Sequence, residues 1–342
     1  MSSAYRFIGL GEVLEDDVMD ASGQPKGYIG GAPLNVTAQV AQYGVESFML
    51  SVLGTDERSI AAKDWIEKQG VRMDYLRVRE GKELPYTRTA KDAFGNTRYV
   101  FKMDNTSIYD LNMGDLEKVE FNDRTVLHLG SVALLNDDLL ALHLAACEKA
   151  KAGIITFDPN LREGLMEGDK QLERAAKLAL KADIIKLGKS ELLKLVPFVL
   201  KESGREDTNT HTFTFSLHLF FAANPRLKGI LLSDAEKGMT FYKRSKQGND
   251  IHARLLDNHV SIVAVDDIKD TIGAGDMAFG AFIGYLLAHT NAIRDLSASH
   301  IEKALKHASL AAAFNLSHTG ALPAATLADI KALAKEKHVR HI

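Results

Sequence analysis

Asp270-Thr271-Ile272-Gly273-Ala274-Gly275-Asp276, running on into Met277-Ala278-Phe279-Gly280-Ala281-Phe282-Ile283, is the stretch that decides how this chain folds. Before it, residues 261–265 (Ser-Ile-Val-Ala-Val) read as a strand, and after it the apolar run reads as a helix. A strand passing through a glycine-rich turn into a helix is the repeating unit of a parallel α/β sheet. The first N–H groups of such a helix have no partner within it, and they point the same way as the positive end of its dipole, so an anion is expected at the turn. Asp276 falls in the first helical turn, beside that anion. As a general base it would take a proton from an attacking hydroxyl while the N–H groups stabilise charge on a transferred phosphoryl group. The same residues also suit a plain tight turn in which Asp276 only favours the dipole, so the seven alone leave both readings open.

Working outward, the rest of the chain repeats the pattern. Strands are predicted over residues 6–10, 48–53, 126–129, 154–157, 184–187 and 229–232, and helices over 34–43, 60–69 and 139–150. Pro33 stands near the first turn of one helix with Gly44 past its end, and Gly70 closes the next, as helix boundaries favour. The predicted fold is α/β, a doubly wound and mostly parallel sheet sandwiched by helices. Residues 86–102 break the rhythm, alternating as a half-buried hairpin with Phe94-Gly95-Asn96 at its turn. Residues 208–221 also alternate polar and apolar where a connection is expected, and suggest no function. No repeat, low-complexity tract or linker divides the chain, so one domain over residues 1–342 is expected.

Composition narrows the function classes. Of 342 residues, 46% are hydrophobic and 25% charged, the balance of an ordinary globular protein. A net charge of −3 supplies no broad positive field, which argues against nucleic acid as a partner. A single cysteine, Cys147, in the apolar run 139–150, excludes an internal disulfide and reads as core. No run of about 18 apolar residues is present to enter a membrane, and a cytoplasmic protein is expected. His211 and His218 lack carboxylates or cysteines at ligand spacing and read as structural.

Residues 270–276 resemble the C-terminal signature of the ribokinase-like (PfkB) carbohydrate kinases, usually Asp-Thr-Thr-Gly-Ala-Gly-Asp, with Ile272 the one departure. Gly30-Gly31-Ala32-Pro33-Leu34-Asn35-Val36 with Gly44 resembles the family's N-terminal signature, in the Gly-Gly-Ala-Pro-x-Asn form of fructokinase-like members. Gly11-Glu12 with Asp16, Gly54 with Asp56, Asp158-Pro159-Asn160-Leu161-Arg162, and Gly320-Ala321 with Pro323 extend the likeness over nearly the whole chain.

The resemblance implies an ATP-dependent kinase acting on a small sugar, with fructose favoured by the Gly-Gly-Ala-Pro-x-Asn element. It implies Asp276 as base, with Gly273, Ala274 and Gly275 forming the anion hole. Asp16, Gly30, Gly31 and Asn35, with Asn160, Arg98 and Arg162, would bind sugar or phosphate oxygens. Lys186, Ser233, Gly238 and Gly320, together with Gly273 and Gly275, would meet the nucleotide. Glu191 would order water on magnesium, and the backbone carbonyls of Asp270 and Ile272 would take potassium. The resemblance also implies a small β-sheet lid over the sugar, built from about residues 12–30 and 84–105, and exposed edge strands of such a lid would invite pairing into a homodimer. Two positions depart from the family pattern. Gly188 stands where Asn or Ser is usual, and Ala235 replaces the first glycine of a nucleotide-site loop.

Three other readings compete. Gly9-Leu10-Gly11 after a strand invites a dinucleotide site, but Leu14 occupies the third glycine position. Within kinases, ribose, 2-keto-3-deoxygluconate and nucleosides are alternative acceptors. A sugar sensor that has lost transfer activity would keep the fold, and Gly188 and Ala235 are the departures consistent with it.

Overall fold

In the computed structural model the described residues are 4–19, 25–91, 97–161, 168–205, 212–234, 237–245, 255–289, 293, 296–318 and 324–342. Strand β1 (Arg6–Leu10) sits inside the main sheet. Phe7 packs into the core on one face, and Ile8 and Leu10 into the core on the other. Burial on both faces is why its sequence is a continuous apolar run rather than an alternating one. The chain continues through β2 (Leu14–Met19), β3 (Pro25–Gly30), α1 (Ala32–Ala41), β4 (Glu46–Leu53), α2 (Glu57–Lys68), β5 (Leu76–Val78), β6 (Tyr86–Lys91) and β7 (Thr97–Lys102). Then follow α3 (Met113–Glu117), β8 (Thr125–Leu129), α4 (Asp137–Lys149), β9 (Ile154–Phe157), α5 (Lys170–Ala179), β10 (Ile184–Gly188), α6 (Lys189–Glu202) and α7 (Phe213–Ala223). The last elements are β11 (Gly229–Ser233), β12 (Met239–Arg244), β13 (Leu255–Val260), α8 (Ala274–His289), α9 (Ala298–Leu316) and α10 (Leu327–Glu336).

The nine-stranded sheet runs β13-β12-β11-β10-β9-β8-β1-β4-β5. It is parallel from β5 to β11, and only the pairings of β12, with β11 and with β13, are antiparallel. From β1 the chain builds outward to β4 and β5, then returns to β8 on the other side. The carboxyl ends of β1 and β8 therefore flank a crevice of the kind that holds ligands in such sheets. A separate four-stranded sheet, β3-β2-β6-β7, stands over it. The hairpin predicted from alternation at 86–102 forms β6 and β7, with its turn at 94–96 outside the described residues.

One sequence expectation is overturned. Residues 261–265 are not a strand. The strand lies earlier, at β13, and ends at Val260, which pairs with Met239 where β12 begins. Beyond it the backbone is tied by Ser309, whose hydroxyl accepts from Val263 N (2.9 Å) and donates to Ser261 O (3.2 Å). The stretch 208–221, whose alternation suggested no function, is described from Thr212 on. From Phe213 on the chain is helix α7, capped by Thr212, and Ser216, Leu217, Phe220 and Phe221 recur on a buried face at helical spacing. Cys147 is core, as expected, and burial pushes its thiol up to about 12.

Candidate active site

The loops that leave β1 and β8 meet around one proline. A side chain on Gly11 would come within 2.7 Å of Pro33 Cγ, and one on Gly130 within 2.3 Å. These two glycines let the first turn of α1 drop onto the sheet edge. Gly31, at φ 118, lets the chain pass 2.6 Å from Glu12 O, a distance measured to where its Cβ would be. The Gly9-Leu10-Gly11 pair is thereby explained without a dinucleotide. A side chain at Gly9 would strike Thr37 of α1.

Helix α1 in turn packs closely on α8. A Cβ on Gly280 would lie 2.6 Å from Gln39 Cβ, and one on Gly284 would lie 2.5 Å from Tyr43. This contact brings Asn35 to Asp276, and Asn35 Nδ2 donates to Asp276 Oδ2 at 2.9 Å. Both side chains are nearly buried. Asp276 lies one residue after Gly275 at the N-terminal end of α8, so a carboxylate and the helix's first N–H groups share one turn, as its sequence suggested.

Asp276 borders a cleft of about 250 Å³. Asp16, Gly31, Asn35 and Asn160 line it together with Lys186, Gly273 and Gly275. Lys186 Nζ lies 2.6 Å from Asp158 Oδ2, buried under the cleft, and a Cβ on Gly275 would be 3.2 Å from that ammonium. Burial pulls the Lys186 ammonium down, but the carboxylates of Asp158, Asp276 and Glu191 outweigh it and hold it above its ordinary value. The cleft therefore carries a fixed positive charge beside the helix terminus. Asn160 adopts a left-handed backbone, φ 43, with its N–H on Asp158 Oδ1, a conformation asparagine tolerates better than most residues.

Glu191 stands slightly apart. Its carboxylate accepts from Leu161 N (2.9 Å) and Gly188 N (2.7 Å), tying the Asp158–Leu161 loop to the start of α6. Ala274 and Gly30 lie next to lining residues, and Asp270 accepts from Ile272 N at 3.0 Å. Ser233 and Gly238 do not border the cleft. They sit on the same edge of the sheet, past Gly188, which pairs with Ser233. Arg98 is in β7, paired with Ala90 of β6. Its side chain, like Arg162, Ala235, Gly320, Ala321 and Pro323, lies outside the described residues. Gly54 and Asp56 are structural. Asp56 caps α2 and accepts Leu84 N (3.0 Å) at the foot of β6.

Sequence reading missed much of the cleft's upper wall. Thr87 and Phe101, opposite each other on the hairpin, line it, and Thr87 donates to Asp16 Oδ1. Thr87 meets Asp16 through the pairing of β2 with β6, a contact that leaves no local signal in the sequence. Ser131, which donates to Glu12 Oε1 at 3.0 Å, follows β8 and carries no motif. Burial raises the Glu12 carboxyl above its ordinary value despite hydrogen bonds from Ser131 and from the Val132 and Ala32 backbone.

Residues 2–327 match the pfkB family of carbohydrate kinases. The chain belongs to the pfkB family of carbohydrate kinases. Like other carbohydrate kinases, it is built to act on a sugar. Among its relatives is Probable fructokinase-5 of Arabidopsis thaliana, 28% identical over 359 aligned positions, covering 98% of this chain and 99% of that one. Among solved structures it resembles the fructokinase of Vibrio cholerae O395 in its fructose, ADP and calcium ion bound form. The TM-score is 0.77 at 21% identity, covering 96% of this chain and 98% of that one. It also resembles the aminoimidazole riboside kinase of Salmonella enterica complexed with aminoimidazole riboside and an ATP analog. Here the TM-score is 0.77 at 18% identity, over 96% and 99% of the two chains. Among the described residues no helix is long and apolar enough to cross a membrane.

Proposed function

We propose that this pfkB-family chain transfers the γ-phosphoryl group of ATP to a hydroxyl of a small sugar, and that the sugar is fructose. The observation that carries the reading is Asp276 held by Asn35 at the N-terminal end of α8, inside a cleft that also contains Lys186. Asp276 takes the proton from the sugar hydroxyl, whose oxygen attacks the γ-phosphorus as the bond to the ADP oxygen breaks. The N–H groups around Gly273, Ala274 and Gly275, with Lys186, balance the charge on the transferred group.

The walls suit a polyol. Asp16, Asn35, Thr87 and Asn160 offer donors and acceptors, while Leu14, Phe101 and Ile108 supply apolar surface for ring carbons. Gly30 and Gly31 bring backbone close to the sugar, and Arg98 and Arg162 reach sugar or phosphate oxygens. Ser233, Gly238 and Gly320 border the nucleotide. The β3-β2-β6-β7 sheet acts as a lid that excludes water from the transfer. Its outer strands β3 and β7 have no further strand partner among the described residues, which favours a homodimer through the lid.

The donor set fits a hydrated magnesium ion carried by the nucleotide. No group of three metal-ligating side chains occurs among the described residues, and Glu191 offers a single carboxylate beside Asn160. Glu191 would orient water on a bound magnesium ion, which would supply screening of the phosphate charges. Potassium would sit on the carbonyls of Asp270 and Ile272. The fructose assignment draws on the Gly-Gly-Ala-Pro-x-Asn element and on the fructokinases among the relatives. A coupled ADP-release assay over fructose, ribose, 2-keto-3-deoxygluconate and nucleosides tests it. Fructose should give the highest kcat/KM. Preference for another acceptor removes fructose, and sugar binding without turnover removes the kinase reading in favour of a sensor.

A further inference from the structure

Asn315, near the end of α9, is 2% exposed, and neither its Nδ2 nor its Oδ1 has a hydrogen-bond partner. Among the described residues no other buried side chain leaves two polar atoms empty in this way. Its surroundings are informative. A Cβ built on Gly273 would stand 3.7 Å from Asn315 Nδ2 and 3.6 Å from Asn35 Nδ2. Two amide side chains, from α1 and α9, thus flank the turn that opens α8. Asn35 commits its amide to Asp276. Asn315, unlike Thr271, Gly273 and Gly275, does not line the cleft. The same end of α9 is fastened to the turn's approach, where Lys269 N donates to Leu316 O at 2.8 Å.

A buried amide with empty positions destabilises the fold that carries it, and such a group calls for a state in which it is satisfied. A peptide unit carries its N–H and C=O on opposite sides. If the peptides of residues 271–273 turn their N–H groups toward a phosphoryl group in the cleft, their carbonyls turn back toward α9. There Asn315 Nδ2 can donate to them.

We propose that Asn315 is a positioning residue for the anion hole: it hydrogen-bonds the back of the Gly273 turn when a phosphoryl group occupies the front, holding the N–H groups on target. This rests on the phosphoryl-transfer reading above. Asn315→Leu, close in shape and apolar, and Asn315→Ser, which keeps a smaller donor and acceptor, test it in the full chain. Melting temperatures are measured without ligand, with magnesium and ATP alone, and with fructose alone, alongside kcat and KM. Asn315→Leu should melt at or above the wild-type temperature without ligand. It should also lose most of the ATP-induced rise, and drop kcat by about tenfold or more with fructose KM changed less than about twofold. Asn315→Ser should fall between. Wild-type kcat and ATP-induced rise in the leucine variant overturn the proposal. So does a lower ligand-free melting temperature with kcat per folded molecule unchanged, the signature of an amide needed only for packing or for a buried water. If wild type turns over no sugar, the kinase reading fails separately, and the ATP-induced rise still decides the role of Asn315.

Discussion

At the scale of single residues the centre of the site is a pair, Asn35 and Asp276, joined at 2.9 Å across two helices. Asp276→Asn keeps the shape and removes the base, so kcat should fall by roughly two to four orders of magnitude while the ATP-induced rise in melting temperature persists. A near-normal kcat would remove Asp276 from the chemistry. Asn35 was legible in the sequence only as a sugar contact, for which Asn35→Ala should mainly weaken binding. The hydrogen bond adds a second role, because without it the Asp276 carboxylate loses the donor that Asn35 supplies to Oδ2. Asn35→Ala should therefore lower kcat by roughly tenfold or more as well as raise the fructose KM. A change in KM alone would confine Asn35 to binding. The motif residues could be read from sequence because turns and helix termini are local. Thr87, Ser131 and Asn315 could not, since each reaches the site through a tertiary contact that leaves no local spacing.

At the scale of elements, the site depends on how closely α8 lies on α1. Glycine in a helix interior is unfavourable relative to alanine by about 1 kcal/mol, yet α8 carries Gly280 and Gly284 in its buried interior. The close approach accounts for them. At Gly280 the neighbour has little room to give, because Gln39 is clamped at both ends, donating to Ala325 O and accepting from Ala325 N, each at 2.9 Å. Gly280→Ala should consequently displace α8 from α1. We predict roughly a tenfold loss of kcat with a well-folded, cooperatively melting protein. If kcat is unchanged, helix spacing does not set the Asn35–Asp276 geometry. The same scale explains where local sequence patterns and the structure part. The polar-apolar alternation before Phe215 is too short to outweigh the helical spacing of Leu217, Phe220 and Phe221 packed beneath it. The strand expected at 261–265 was displaced to Leu255–Val260 because antiparallel pairing with β12, rather than local apolarity, fixes where β13 ends. Central strands such as β1 and β8 were legible because burial on both faces makes the whole run apolar.

At the scale of the whole molecule, three histidines are buried neutral and couple the fold to pH. Burial pulls His128, His143 and His307 down to about 4 from an ordinary value of 6.5. A histidine depressed in the folded state binds its proton more readily when unfolded, so its contribution is complete above pH 6.5 and is lost as pH falls toward 4. Each could cost roughly 3 kcal/mol at the lower end of that window, against a net stability of order 5–15 kcal/mol. Glu12 and Asp183, which burial raises above the ordinary carboxylate value, act in the opposite sense and soften the descent. His143 lies away from the cleft, its Nδ1 donating to Leu139 O one helical turn back, and so isolates the effect. Urea midpoints measured at pH 7, 6 and 5 should fall steadily for the wild type and fall less for His143→Leu, with kcat at pH 7 unaffected by the substitution. Superposable pH profiles would mean that the neutral burial of His143 does not drive the loss, and that the acid sensitivity must be sought in His128, beside the Asp158–Lys186 pair, and in His307.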